Sequence, residues 1–138
     1  MGLFSAFKKE DSSKQVKENH TFPWIDLSSL DQLLEIKEQS KIIPVVIFKH
    51  STRCVISRMV LRDFESSFVK DGKSVELYLL DLLSYRDISS QVGEIFQVFH
   101  QSPQLLVIKN GEAIYHASHN EIKADAIKDI IKQPLKTI

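Results

Sequence analysis

The chain has 138 residues, 43% of them hydrophobic and 26% charged, the composition of one globular domain with its own core rather than of a disordered or membrane-embedded chain. Eighteen Lys and Arg balance eighteen Asp and Glu, so no bulk charge draws the protein to nucleic acid or anionic lipid, and partners must be met by local sites. A single cysteine, Cys54, excludes an internal disulfide and any all-cysteine metal centre built by one chain.

Met1 to about Phe7 is a short apolar lead and Lys8 to His20 a polar run. Residues 1–21 are expected to form a mobile arm, with the domain occupying 22–138. Gly2 suggests myristoylation, but Ala6 stands where that motif needs Ser or Thr. No signal-peptide pattern and no apolar run of roughly 18 residues is present, so a cytoplasmic protein that does not cross a membrane is expected.

Ser29 and Gln32 have capping-box spacing and Leu30, Leu33 and Leu34 supply an apolar stripe, which predicts a helix from about Ser28 to Gln39. Ile43 to Lys49, rich in β-branched residues, predicts a buried strand. A polar stretch from His50 to Arg53 then hands over to a helix from Cys54 to about Phe68, with the stripe Ile56, Met59, Val60, Phe64 and Phe68 and a stop at Asp71-Gly72. Val75 to Asp81 predicts a second strand, parallel to the first if the unit is a right-handed βαβ crossover.

From Ser84, the residues Ile88, Val92, Ile95, Phe96 and Phe99 predict a helix to about His100, broken by Gln101-Ser102-Pro103. Gln104 to Lys109 and Glu112 to His116 flank Asn110-Gly111, the strongest hairpin signal in the chain. Asn120 is a candidate cap for a last helix carrying Ile122, Ala126, Ile127, Ile130 and Ile131, closed by Pro134. The order helix, βαβ, helix, hairpin, helix implies an α/β fold: a four-stranded mixed sheet with helices on both faces.

Cys54 falls where a strand passes into a helix. Unpaired N–H groups and the aligned peptide dipoles there favour a thiolate over a thiol, and such placement can bring a cysteine pKa from roughly 8.5 to about 3.5–7.5. Cys54-Val55-Ile56-Ser57 has C-x-x-S form, so Ser57 replaces a resolving cysteine; its hydroxyl is placed either to approach the sulfur or to pair with its own helix backbone. Arg53, Arg58, Lys49 and His50 surround the position with cations that would favour a thiolate and attract carboxylates; each taken singly reads equally as a solvated surface residue. Asp81 is expected to cap a loop, and the scattered histidines show no paired ligand spacing, so no metal is expected.

A strand ending in Phe48, a cysteine opening the next helix and Ser102-Pro103 before a later strand together resemble the thioredoxin superfamily, whose cis-proline faces its active cysteine. More specifically, the segment His50 to Ser57, Gln101-Ser102-Pro103-Gln104 and the Lys109-Asn110-Gly111 turn resemble the monothiol bacilliredoxin-like proteins of Gram-positive bacteria, over about residues 22–133. Val55 departs from the proline common after the cysteine in relatives.

The resemblance implies a thioredoxin-like fold and catalytic roles for Cys54, Ser57 and Pro103, with the Ser102-Pro103 bond cis and the Ser102 backbone free to pair with an extended substrate. It further implies substrate contacts at Arg53, Thr52 and Ser102. Bacillithiol, or a similar small thiol, is the implied co-substrate. S-thiolated client proteins are the implied partners and a monomer the implied state. Two alternatives keep the fold: a glutaredoxin-like carrier in which two chains and two small thiols hold a [2Fe–2S] centre, and a non-catalytic interaction or redox-sensing module.

Overall fold

The structure, a computed structural model, describes residues 22–68 and 75–133. The expected arm at 1–21, the Asp71-Gly72 stop and Pro134 lie outside the described residues.

Strand β1 (Ile25–Asp26) leads into helix α1 (Leu30–Gln39), strand β2 (Val45–His50) and helix α2 (Val55–Ser67). Strand β3 (Glu76–Asp81), helix α3 (Arg86–Phe96), strands β4 (Gln104–Lys109) and β5 (Glu112–Ser118), a 3₁₀ turn at His119–Glu121 and helix α4 (Ala124–Lys132) follow among the described residues. The sheet has five strands in the order β1-β3-β2-β4-β5. The expected four are all present; the fifth, β1, is a two-residue edge strand pairing Ile25 with Tyr78 and Asp26 with Leu79, too short to carry any periodicity. β1 and β2 run parallel to β3, while β4 is antiparallel to β2 and to β5.

Alternation along β2 divides the core. Val46 and Phe48 face one cluster, with Val60 and Phe64 of α2 and Ile127 and Ile131 of α4. Val45 and Ile47 face the other, with Leu33 and Ile36 of α1 and Ile88, Val92 and Phe96 of α3. On the first face Phe64 stacks on Phe68 at a ring-centroid distance of 5.0 Å and on Trp24 at 6.0 Å. Helices cover both faces, as expected.

The local signals that end elements are visible in the bonds. Ser29 accepts the Gln32 N–H and the Gln32 side chain accepts the Ser29 N–H, completing the capping box of α1. Asn110 and Gly111 form the hairpin turn with φ of 53° and 79°, and their N–H groups donate to the Ser40 carbonyl and hydroxyl, both at 2.7 Å. Lys109 is buried and donates from Nζ to the Ile130 and Gln133 carbonyls at 2.8 Å, satisfying the open C-terminal end of α4.

Four sequence expectations are corrected. The buried side of α1 carries Leu33 and Ile36, with Leu30 and Leu34 exposed. In α2 the buried residues are Ser57, Val60 and Phe64, and Ile56 and Met59 are 53% and 59% exposed. Helix α3 stops at Phe96 because Gln97 takes the left-handed conformation, which leaves Phe99 in solvent. Asn120 lies inside the 3₁₀ turn, and Lys123 occupies the cap position of α4.

Candidate functional site

Cys54 occupies the N-cap of α2, with extended backbone (φ −102°, ψ 123°). Its N–H donates to the Ser51 carbonyl at 3.2 Å and its carbonyl accepts the Arg58 N–H at 3.0 Å, so the residue is fixed on both sides by backbone bonds. The thiol is free and half-buried, and Thr52, Arg53 and Val55 around it are exposed. Strand and helix meet here because apolar β2 ends at His50 and the helical pattern begins at Val55, leaving four polar or thiol residues to turn the chain.

The Ser102-Pro103 bond is cis, and Pro103 is buried. Lys49 pairs with Gln104 across β2 and β4, so Pro103 enters β4 at the end of the sheet where β2 delivers the chain to Cys54. The Pro103 carbonyl accepts the His119 N–H at 3.0 Å. Among the described residues nothing pairs with the Ser102 backbone, which leaves a donor and an acceptor open at this end.

Ser57 is fully buried, and neither of the arrangements expected for its hydroxyl is the one recorded in its bonds. Its Oγ accepts the Ser51 N–H at 3.0 Å and lies 2.8 Å from His50 Nδ1. With one lone pair occupied by Ser51, the hydroxyl proton is suited to His50 Nδ1, which assigns the proton of the neutral ring to Nε2. The serine thus pins the loop that carries Cys54 to the end of β2.

Lys49 and His50, read from sequence as flanking surface cations, are both buried. Lys49 Nζ lies 2.7 Å from His100 Nδ1 and donates to Gln104 Oε1 at 3.2 Å, and Gln104 in turn donates to the Phe99 carbonyl. No carboxylate takes part in these bonds. Burial lowers the Lys49 pKa from 10.5 to about 8. Burial also lowers His50, helped by Arg58 and opposed by Asp81 and Glu65; His100 is lowered by burial and then by the Lys49 charge.

Asp81 caps its loop as expected, accepting from the Leu83 N–H and the Ser84 hydroxyl. Arg58 Nη1 donates to the Thr52 carbonyl at 3.1 Å, across the turn that holds Cys54. Beside it opens a cleft of about 360 Å³ between α2 and the β1–β3 edge, with Trp24, Arg62 and Glu65 on its walls. Those three residues were not singled out in the sequence; the signal available was the spacing of four that puts Cys54, Arg58 and Arg62 in one row along a helix. No helix among the described residues is long and apolar enough to cross a membrane.

Comparison with solved structures places the fold. A candidate oxidoreductase with a thioredoxin fold is 29% identical, with a TM-score of 0.68 over 78% of this chain and 92% of its own. The thioredoxin of Malassezia sympodialis is 25% identical, with a TM-score of 0.59 over 77% of this chain and 85% of its own. A point-mutant thioredoxin from Halobacterium salinarum, 16% identical, matches with a TM-score of 0.61 over 83% of this chain and 92% of its own. The family model for monothiol bacilliredoxin BrxC matches residues 25–127, which hold the five strands of the described sheet together with Cys54, Ser57 and Ser102-Pro103. By that match and by its thioredoxin-like fold, the chain belongs to the monothiol bacilliredoxin BrxC family and has a thiol redox role.

Proposed function

We propose that the protein performs thiol–disulfide exchange with one thiol, removing bacillithiol or a similar small thiol from S-thiolated client proteins. The observation that carries this reading is the half-exposed Cys54 at the start of α2, at the same end of the sheet as the Ser102 backbone, which has no partner among the described residues. An extended disulfide substrate can pair with that backbone while its sulfur meets Cys54, and such alignment is what exchange requires. Val55, Ile56 and Met59 are exposed on the first turns of α2, an apolar rim suited to a protein client.

In the first step the Cys54 thiolate attacks the small-thiol sulfur of the client disulfide. The new bond joins Cys54 to the small thiol, the old disulfide breaks, and the client leaves as a thiolate that takes a proton from water. In the second step a free small thiol attacks the Cys54 adduct, giving a small-molecule disulfide and restoring Cys54. Ser57 cannot take the resolving part, so the second thiol comes from solution. Incubating the protein with an S-bacillithiolated client tests this: client thiol is expected to be released by the wild type and not by Cys54→Ser, and equal release by both overturns the reading.

A further inference from the structure

The cleft beside α2 has a composition that the exchange steps do not use. Its cations are Arg58 and Arg62 and its single carboxylate is Glu65, whose Oε2 accepts the Trp24 indole N–H at 2.6 Å. The ion pairs among the described residues join Lys41 to Glu38 and Lys128 to Asp125, so neither arginine has a carboxylate partner among those residues. Arg58 spends one N–H on the Thr52 carbonyl, and Arg62 makes no side-chain hydrogen bond among the described residues. His50, on the cleft wall, has its Nδ1 committed to Ser57. Two guanidiniums therefore stand against one already bonded carboxylate.

The cleft also reaches the turn that carries the cysteine: Thr52, two residues before Cys54, is on its wall and accepts from Arg58. Cys54, Arg58 and Arg62 succeed one another every four residues, and each such step along a helix rises about 6 Å, so the row spans roughly 12 Å. Long side chains on a helix lean toward its N-terminus, which brings the Arg62 guanidinium toward Arg58 and Cys54. A cavity of about 360 Å³ is in the range of small-molecule sites. An occupant attached at Cys54 is held near the arginines at a high effective concentration, so even partly exposed charge contacts can fix its orientation.

Resting on the exchange reading, we infer that this cleft, bounded by Trp24, Arg58 and Arg62, receives the carboxylate-bearing end of the small thiol while its sulfur is bonded to Cys54. Arg58 and Arg62 donate to the carboxylates, and Trp24 forms the flat wall. The cleft selects an acidic small thiol over a neutral one.

The test follows the rate of mixed-disulfide formation on Cys54 by intact mass, using the full chain with bacillithiol disulfide and with neutral hydroxyethyl disulfide. In Arg62→Gln the ratio of the acidic to the neutral rate should fall on the order of five- to tenfold, with partial recovery in Arg62→Lys and loss of the preference at high salt. An unaltered ratio in Arg62→Gln, with the wild type reacting normally with the acidic disulfide, overturns the cleft and leaves the exchange reading in place. A wild type that reacts with neither disulfide overturns both, and one that reacts only with the neutral disulfide overturns the cleft and the acidic thiol.

Discussion

The Ser57 hydroxyl oxygen lies 2.8 Å from His50 Nδ1, tying the serine of the C-x-x-S sequence to the last residue of β2. In a dithiol protein a second sulfur would occupy this position; here it holds a structural pin that also takes the Ser51 N–H. Removing the hydroxyl leaves a buried ring nitrogen and a backbone N–H without partners. Ser57→Ala is therefore expected to lose about 1–3 kcal/mol of stability in urea denaturation. A change within a few tenths would show that the pin carries no energy.

Lys49 gives the protein an alkaline signature. Its pKa is about 8 when folded and 10.5 in the open chain, so between these values the unfolded state binds more protons and stability rises with pH. Denaturation at pH 7.5 and pH 10 should show that rise in the wild type and a smaller one in Lys49→Met. Equal slopes in the two proteins would contradict it.

His50 and His100 act in the same direction at the acid end. Both are held below the ordinary 6.5 by burial, so each is neutral in the folded protein at neutral pH, and stability falls as pH drops below about 6.5. Their ring proton shifts in an NMR titration should show midpoints below 6.5. A midpoint at or above that value for either ring would contradict the assigned neutral state.

The orientation of α2 is checked by two substitutions on opposite sides. Phe64→Ala, beneath Trp24 and Phe68, should cost about 3–5 kcal/mol, while Met59→Ser should stay within about 0.5 kcal/mol and slow reaction with a protein client. A large stability loss from Met59→Ser would contradict the exposure of that side of α2.

Features written in neighbouring residues were legible in the sequence. The capping box at Ser29, the Asn110-Gly111 turn, the four longer strands and the start of a helix at Cys54 each depend on local chemistry or on a period spanning several residues. Features set by partners far along the chain were not. Lys49 looked like the solvated end of a strand because its partners, His100 and Gln104, come 51 and 55 residues later. Ile56 and Met59 fit a helical stripe as well as the true one does, since the buried position between them belongs to Ser57, a polar residue kept inside by His50 and Ser51. The cis Ser102-Pro103 bond was expected from the resemblance together with the topology.

The direction of transfer is the point on which the proposed function turns, and single-turnover mass spectrometry reads it directly. With an S-bacillithiolated client in slight excess and no free small thiol, Cys54 should gain the mass of one bacillithiol as an equal amount of client thiol appears. A covalent complex between Cys54 and the client, or an unmodified Cys54 beside an unchanged client, would contradict it.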